Sequence, residues 1–330
     1  MENDKGILGG GVRQILVTGG AGFIGSHVVD ILVEQGYEVT CFDNLSNGRK
    51  EYIEPHLGKK NFTFVQADLL DKEKVSEHVE GKDLIWHLGA NTDIIGSNNQ
   101  PERDLKDGVI ATFNILEAMR RHKVVPLLFP SSGAVYGNLC KEEYVTEKSG
   151  PLLPVSSYGA GKIGCESFIS VYCHLYGIRA WMFRFGNVIG RRMTHGVIYD
   201  FINKLKKNPK ELEVLGDGRQ EKNYFLVEEC IDGMAYAFRH IPLTPSSPCT
   251  VLNLGTDSIS RVIDIANIVR EEMGLSNANI KVAGTPFAWP GDQPRVHMKV
   301  DTINKLGWKA KHTSDEAVRI AVRRQLGTKL

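Results

Sequence analysis

No apolar stretch in the 330 residues approaches the ~18 needed to cross a bilayer, so a spanning helix is excluded. The first residues, MENDKGILGGGVRQ, lack the apolar core of a secretory leader. They are acidic and then glycine-rich, and residues 1 to about 12 read as a mobile tail. Neither sign of charge is in excess. Lys+Arg number 40 and Asp+Glu 39, a net +1 that gives no reason to invoke nucleic acid or an anionic membrane. The six cysteines, at 41, 140, 165, 173, 230 and 249, contain no C-x-x-C pair. A reduced, cytoplasmic protein with inert thiols and no metal site is expected. Without a leader, the acceptor patterns at Asn44 and Asn61 are chance matches. Internal repeats and low-complexity stretches are also missing.

What is present is ordinary for a globular protein: 42% hydrophobic and 24% charged residues. The length favours two lobes. Short apolar runs at 14–18, 38–42, 62–67, 84–88, 126–131 and 178–184 alternate with helical patterns. Ile24, Val28, Ile31 and Leu32 share one helix face; Cys165, Phe168, Ile169, Tyr172, Leu175 and Tyr176 share another. Strands alternating with helices predict an α/β protein with a Rossmann-type doubly wound parallel sheet. After about Gly186 the rhythm loosens into a smaller α+β lobe. The expected domains are 1–186 and 187–330, with 223–255 a candidate to return to the first.

The first strand runs into Gly19-Gly20-Ala21-Gly22-Phe23-Ile24-Gly25. Gly19 can take a tight turn, Gly22 lets backbone approach a pyrophosphate, and Gly25 permits close helix–sheet packing. The helix amino terminus then offers free N–H groups to phosphate. Asp43 ends the second strand, 18 residues after Gly25, where a carboxylate can accept both ribose hydroxyls and repel a 2′-phosphate. NAD rather than NADP is expected, with Asp68 at the adenine edge.

Tyr158 and Lys162 stand at i and i+4 at the start of the long amphipathic segment. A phenol with its ordinary pKa of ~10 is too weakly ionised to serve as a base at neutral pH. A neighbouring ammonium favours the phenolate. Tyr144 and Lys148 have the same spacing, but Ser149-Gly150-Pro151 follows and cannot continue a helix. Ser132 follows the fifth strand at the edge where open α/β sheets bind ligands, and its hydroxyl can hold a substrate oxygen.

Together these residues resemble the extended short-chain dehydrogenase/reductase family, in particular its nucleotide-sugar epimerases and dehydratases, with the UDP-glucose 4-epimerases nearest. The resemblance rests on TGGAGFIGSH (18–27), FDNLSNGR (42–49), ADL (67–69), SSGAVYG (131–137), YGAGK (158–162), RFGNVIGRR (184–192), GDGRQEKNY (216–224) and PGDQP (290–294). It implies that Ser132, Tyr158 and Lys162 are catalytic. It also implies that Gly19, Gly22, Phe23, Ile24, Asp43, Asn44, Asp68, Leu69, Leu88, Tyr158 and Lys162 hold NAD. Ser132, Asn187, Arg192, Lys222 and Arg295 are the candidates for the UDP-sugar. A homodimer paired through helices near 109–121 and 158–176 is implied as well. Departures are Lys222 for a common Arg, Trp289 for Arg, Gly108 for Asn and Gly133 for Ser.

Dehydratases of this family carry Asp-Glu beside the catalytic hydroxyl, and decarboxylases a Glu, because further proton transfers need further acids and bases. Ser132 is instead followed by Gly133-Ala134. The expected reaction is 4-epimerisation of UDP-glucose/UDP-galactose through a 4-keto sugar. Alternatives are an epimerase of UDP-glucuronate or UDP-N-acetylglucosamine, another nucleotide-sugar oxidoreductase or dehydratase, or an NAD-binding regulatory protein. Arg295 and Val296 are the candidates to border the sugar.

Overall fold

The computed structural model describes residues 6–97, 99–141, 144–285, 288 and 291–327; Trp289 lies outside them. In chain order come β1 (Gln14–Thr18), α1 (Phe23–Glu34), β2 (Glu38–Asp43), β3 (Phe62–Gln66), α2 (Lys72–Val79), β4 (Leu84–His87), α3 (Ile94–Ser97), α4 (Ala111–His122), β5 (Pro126–Ser132), α5 (Ser157–Tyr176) and β6 (Arg179–Phe185). They are followed by β7 (Asn187–Ile189), α6 (Val197–Lys207), β8 (Glu211–Val214), β9 (Glu221–Lys222), β10 (Tyr224–Leu226), α7 (Val227–His240), β11 (Cys249–Leu254), β12 (Ser260–Arg261), α8 (Val262–Glu272), β13 (Asn279–Val282), β14 (Arg295–Val296), α9 (Asp301–Lys305) and α10 (Ser314–Leu326).

Seven strands form one sheet in the order β11-β6-β5-β4-β1-β2-β3. β1 pairs in parallel with β2 and β4, β2 with β3, and β4 with β5. This is the Rossmann-type doubly wound sheet. The inner strands are nearly continuous runs of buried residues, as covering both faces demands, whereas the edge strand β3 is only partly buried. Strand order reverses between β1 and β4, which opens a crevice at the carboxyl ends of the strands. Thr18 is level there with Phe42 and His87.

The chain divides into two compact units. The first takes the described residues through Val135, then Ser157–Arg184 and Ile231–Leu252; the second takes Tyr136–Ser156, Phe185–Cys230 and the described residues from Asn253. The segment 136–156, which the sequence rhythm groups with the first lobe, falls in the second unit, where Val145 bridges to Met298. The second unit has three small sheets, β10-β7, β12-β9-β14 and β13-β8, and α10 packs on α6 and α8.

Residues 6–12 are not a loose tail: Leu8 is buried and its N–H donates to Tyr37 Oη at 3.1 Å. Gly6 permits this, since a Cβ there would sit 2.0 Å from that oxygen. The apolar stripe of α5 is buried along one side only. Phe168, Leu175 and Tyr176 are exposed, while Lys162 and Glu166 are buried beside Cys165, Ile169 and Tyr172. The helix is anchored by charges that a count of apolar residues treats as surface. Glu166 Oε2 accepts from Arg184 Nη2 of β6 at 2.7 Å, and its Oε1 accepts from Arg184 Nε at 3.0 Å and from the Ser131 hydroxyl of β5.

Removing one partner of a buried ion pair leaves an uncompensated charge, at a cost of about 3–5 kcal/mol. Glu166→Ala is expected to lose that much stability in urea denaturation, and Glu166→Leu combined with Arg184→Met to recover most of it.

Candidate functional site

In the first unit, β1 ends at Thr18 and Gly19 takes φ +65°, the left-handed region open to glycine. A Cβ on Gly19 would lie 2.7 Å from the Gly89 nitrogen, and one on Gly25 would lie 2.1 Å from the Gly19 carbonyl oxygen. The turn is backbone packed on backbone. Gly22 is the N-cap of α1, with no side-chain cap and no acidic residue in the first turn. The first N–H groups of the helix, those of Phe23 and Ile24 included, have no intrahelical acceptor. That end is suited to an anion.

Asp43 closes the neighbouring strand. Its Oδ2 accepts from Ala21 N at 3.0 Å and its Oδ1 from Leu45 N at 2.8 Å. The carboxylate is therefore fixed against the glycine turn. Burial raises its pKa, opposed by these two backbone bonds. Asn44 Nδ2 donates to Asp68 Oδ2 at 2.8 Å, and Leu70 N donates to Asp68 Oδ1 at 2.8 Å. Leu69 packs against the apolar core, and Leu88 N donates to the Thr18 carbonyl at 3.1 Å. Each carboxyl oxygen of Asp43 keeps acceptor capacity beyond its one bond to backbone.

Ser132 ends β5, and its Oγ accepts from Ala134 N at 3.1 Å. Tyr158 is half-buried in the first turn of α5. Lys162 is buried, its Nζ donating to the Pro130 carbonyl at 2.8 Å. That ammonium lies 5.7 Å from the centre of the Tyr158 ring and 4.9 Å from that of Phe129. The bond to Pro130 ties the Lys162 side chain to the strand end that carries Ser132. A phenol, an ammonium and a hydroxyl thus gather at the carboxyl edge of the sheet. Tyr144, by contrast, is exposed outside any helix, under the Lys299 ammonium at 5.0 Å.

The second unit carries the other sequence candidates. Asn187 begins β7 and donates through Nδ2 to the Asn223 carbonyl at 3.3 Å. Arg192 is half-buried with φ +70°. Lys222 Nζ meets the buried Asp292 Oδ1 at 3.3 Å. Arg295 Nε stands 3.7 Å from Glu221 Oε1, and Val296 beside it is buried. Back in the first unit, Gly108 sits in a π-helical stretch over Asp104–Ile110 and would meet no atom within 4 Å if it bore a Cβ. The departure from Asn therefore leaves space rather than relieving a clash.

Sequence reasoning passed over Ser131, Glu166, Arg184 and His87. Glu166 was visible as the residue four beyond Lys162, on the same helix face. His87 ends β4 at the ligand-binding edge, and its Nδ1 lies 2.7 Å from Thr18 Oγ1.

The model of the NAD dependent epimerase/dehydratase family matches residues 15–255. A putative UDP-glucose 4-epimerase of Methanocaldococcus jannaschii is 33% identical over 94% of this chain and 97% of that protein. A UDP-galactose 4-epimerase crystal structure superposes with a TM-score of 0.83 at 37% identity, covering 94% of this chain and 98% of that one. The Thermus thermophilus UDP-glucose 4-epimerase in complex with NAD gives 0.82 at 31% identity, covering 96% and 100%.

A carboxylate at Asp43 hydrogen-bonds a free ribose hydroxyl and repels a 2′-phosphate. Calorimetry is expected to show NAD bound at least about tenfold more tightly than NADP. Asp43→Asn, which removes the charge, is expected to close most of that gap; equal affinities in the unaltered protein would refute this role.

Proposed function

The chain belongs to the NAD-dependent epimerase/dehydratase family, and we propose that it interconverts UDP-glucose and UDP-galactose by epimerisation at C4. The observation that carries this reading is the segment after Ser132. Gly133 and Ala134 can exchange no proton, and Glu166, the carboxylate on the Lys162 face of α5, is locked by Arg184 and Ser131. Elimination of water or loss of carbon dioxide calls for additional acid–base groups. Epimerisation needs one.

The first unit fits NAD. The glycine turn brings bare backbone N–H groups to a pyrophosphate, and the fixed Asp43 carboxylate suits the adenosine ribose. When bound, NAD takes up and returns the hydrogen of C4 with its electron pair. Tyr158 Oη removes the proton of the 4-hydroxyl and later restores it to the 4-keto oxygen. Lys162 holds its ammonium 5.7 Å from the centre of the phenol ring. Ser132 Oγ donates to the 4-oxygen throughout. Rotation of the 4-keto sugar before the hydrogen returns inverts C4. Asn187, Arg192 and Lys222 are assigned to the diphosphate and nucleoside. Arg295 already faces Glu221, which supports a neutral hexose over a uronate.

The exposed Phe168, Val171, Leu175 and Tyr176 on α5 support a homodimer paired through α4 and α5. Light scattering is expected to give the dimer mass, and Phe168→Glu combined with Leu175→Glu the monomer. A concentration-independent monomer from the unaltered chain would contradict pairing.

Incubation with UDP-glucose, UDP-N-acetylglucosamine and UDP-glucuronate, with the products identified, tests the reaction. UDP-galactose from UDP-glucose is the expected result; a dehydrated or decarboxylated product would overturn it. Tyr158→Phe is expected to lose ~10²–10⁴ in rate, and Tyr144→Phe none.

A further inference from the structure

The hydrogen bonds through His87 have a direction. Gly89 N–H donates to Thr18 Oγ1 at 3.0 Å, and that hydroxyl lies 2.7 Å from His87 Nδ1. At the other end the Thr112 hydroxyl donates to Cys165 Sγ at 3.3 Å. Its oxygen is left to accept from His87 Nε2 at 3.1 Å. The network assigns the Nε2–H tautomer, with each ring nitrogen used once.

The ring, carried on β4, is bonded by Thr18 of β1 and Thr112 of α4, and Cys165 of α5 stands behind Thr112. All four side chains are buried. From β5, Phe129 stacks obliquely on the imidazole at 5.8 Å, and the Lys162 ammonium lies over the same Phe129 ring. Among the described residues the one charged group acting on the imidazole is Lys162 of α5; the Cys165 thiol lies behind Thr112, and β1, α4 and β5 offer two hydroxyls and a phenyl ring. Burial, aided by Lys162, pushes the imidazole pKa down to about 3. The ring stays uncharged and can keep one donor and one acceptor.

At the site edge no side chain can prop the glycine turn away from β4. A Cβ on Gly89 would itself lie 3.2 Å from Thr18 Oγ1 and 3.4 Å from the Gly19 nitrogen. The spacing between turn and strand end is set by two bonds to Thr18, from Leu88 N to its carbonyl and from Gly89 N to its hydroxyl. With His87 Nδ1 taking the Thr18 proton, the hydroxyl is held in one rotamer and keeps a lone pair aimed at the Gly89 N–H. We propose that His87 is a positioning residue for NAD, fixing through Thr18 the separation of the Gly19 turn from the Leu88–Gly89 backbone on which the cofactor rests. The inference rests on the cofactor and not on which sugar is turned over.

NAD affinity of NAD-stripped protein, measured by calorimetry well below the melting temperature, tests it without any sugar substrate. Thr18→Val keeps the side-chain shape and removes the hydroxyl; His87→Phe keeps a ring and removes both nitrogens. Each is expected to raise the NAD Kd about tenfold or more. His87→Gln, whose amide can donate to Thr112 and accept from Thr18, is expected to restore part of the loss. Ile85→Ala, a cavity in the same buried strand, is expected to lower Tm and leave Kd within about twofold of the unaltered protein. NAD binding by folded Thr18→Val at the unaltered Kd would overturn the proposal. So would an equal loss in Ile85→Ala, which would reduce His87 to general stability. Should His87→Phe fail to fold, Thr18→Val decides.

Discussion

Everything at the cofactor edge depends on how closely the backbone of the β1–α1 turn approaches its neighbours. Gly19 leaves no room for a methyl group against Gly89, and Gly25 leaves none against Gly19. That crowding sets α1 directly on the sheet, turns its uncapped amino end toward the crevice and presses Asp43 onto the same turn through Ala21 N. Local flexibility is not the reason for these glycines. A side chain at either position would push a strand end or a helix out of place, and the anion-binding geometry would go with it.

A second constraint acts on α5. Buried charges are costly unless paired, and α5 buries two on one face, Lys162 and Glu166. Each is satisfied by the strand it lies on: Lys162 by Pro130 of β5, Glu166 by Ser131 of β5 and Arg184 of β6. Apolar packing would tolerate a small rotation of the helix, whereas directional bonds to two strands do not. The first turn of α5, with Tyr158, is thereby referenced to the strand end with Ser132. The proposed epimerisation asks for a phenol, an ammonium and a hydroxyl in fixed relation, and this arrangement suits it.

The sheet was legible in the sequence because its inner strands are buried on both faces and so appear as unbroken apolar runs. β1 was read to its observed bounds, and β4 and β6 to within a residue. Tyr158 could be told from Tyr144 because Gly150-Pro151 forbids a helix after the latter. The buried polar groups were not legible. Glu166 and Arg184 are 18 residues apart, and Thr18 and His87 are 69 apart. Only folding makes partners of them, and residue by residue they look like surface. The amino-terminal segment misled for a related reason: Gly6 reads as freedom in the sequence, and in the fold it is clearance for Tyr37.

On the proposed reading the site moves one hydrogen away from C4 and returns it to the opposite face without exchange with water. UDP-glucose deuterated at C4, incubated with the protein and NAD in ordinary water, is then expected to give UDP-galactose that keeps its deuterium at C4. Loss of the label to solvent, or a product that has shed water or carbon dioxide, would contradict it.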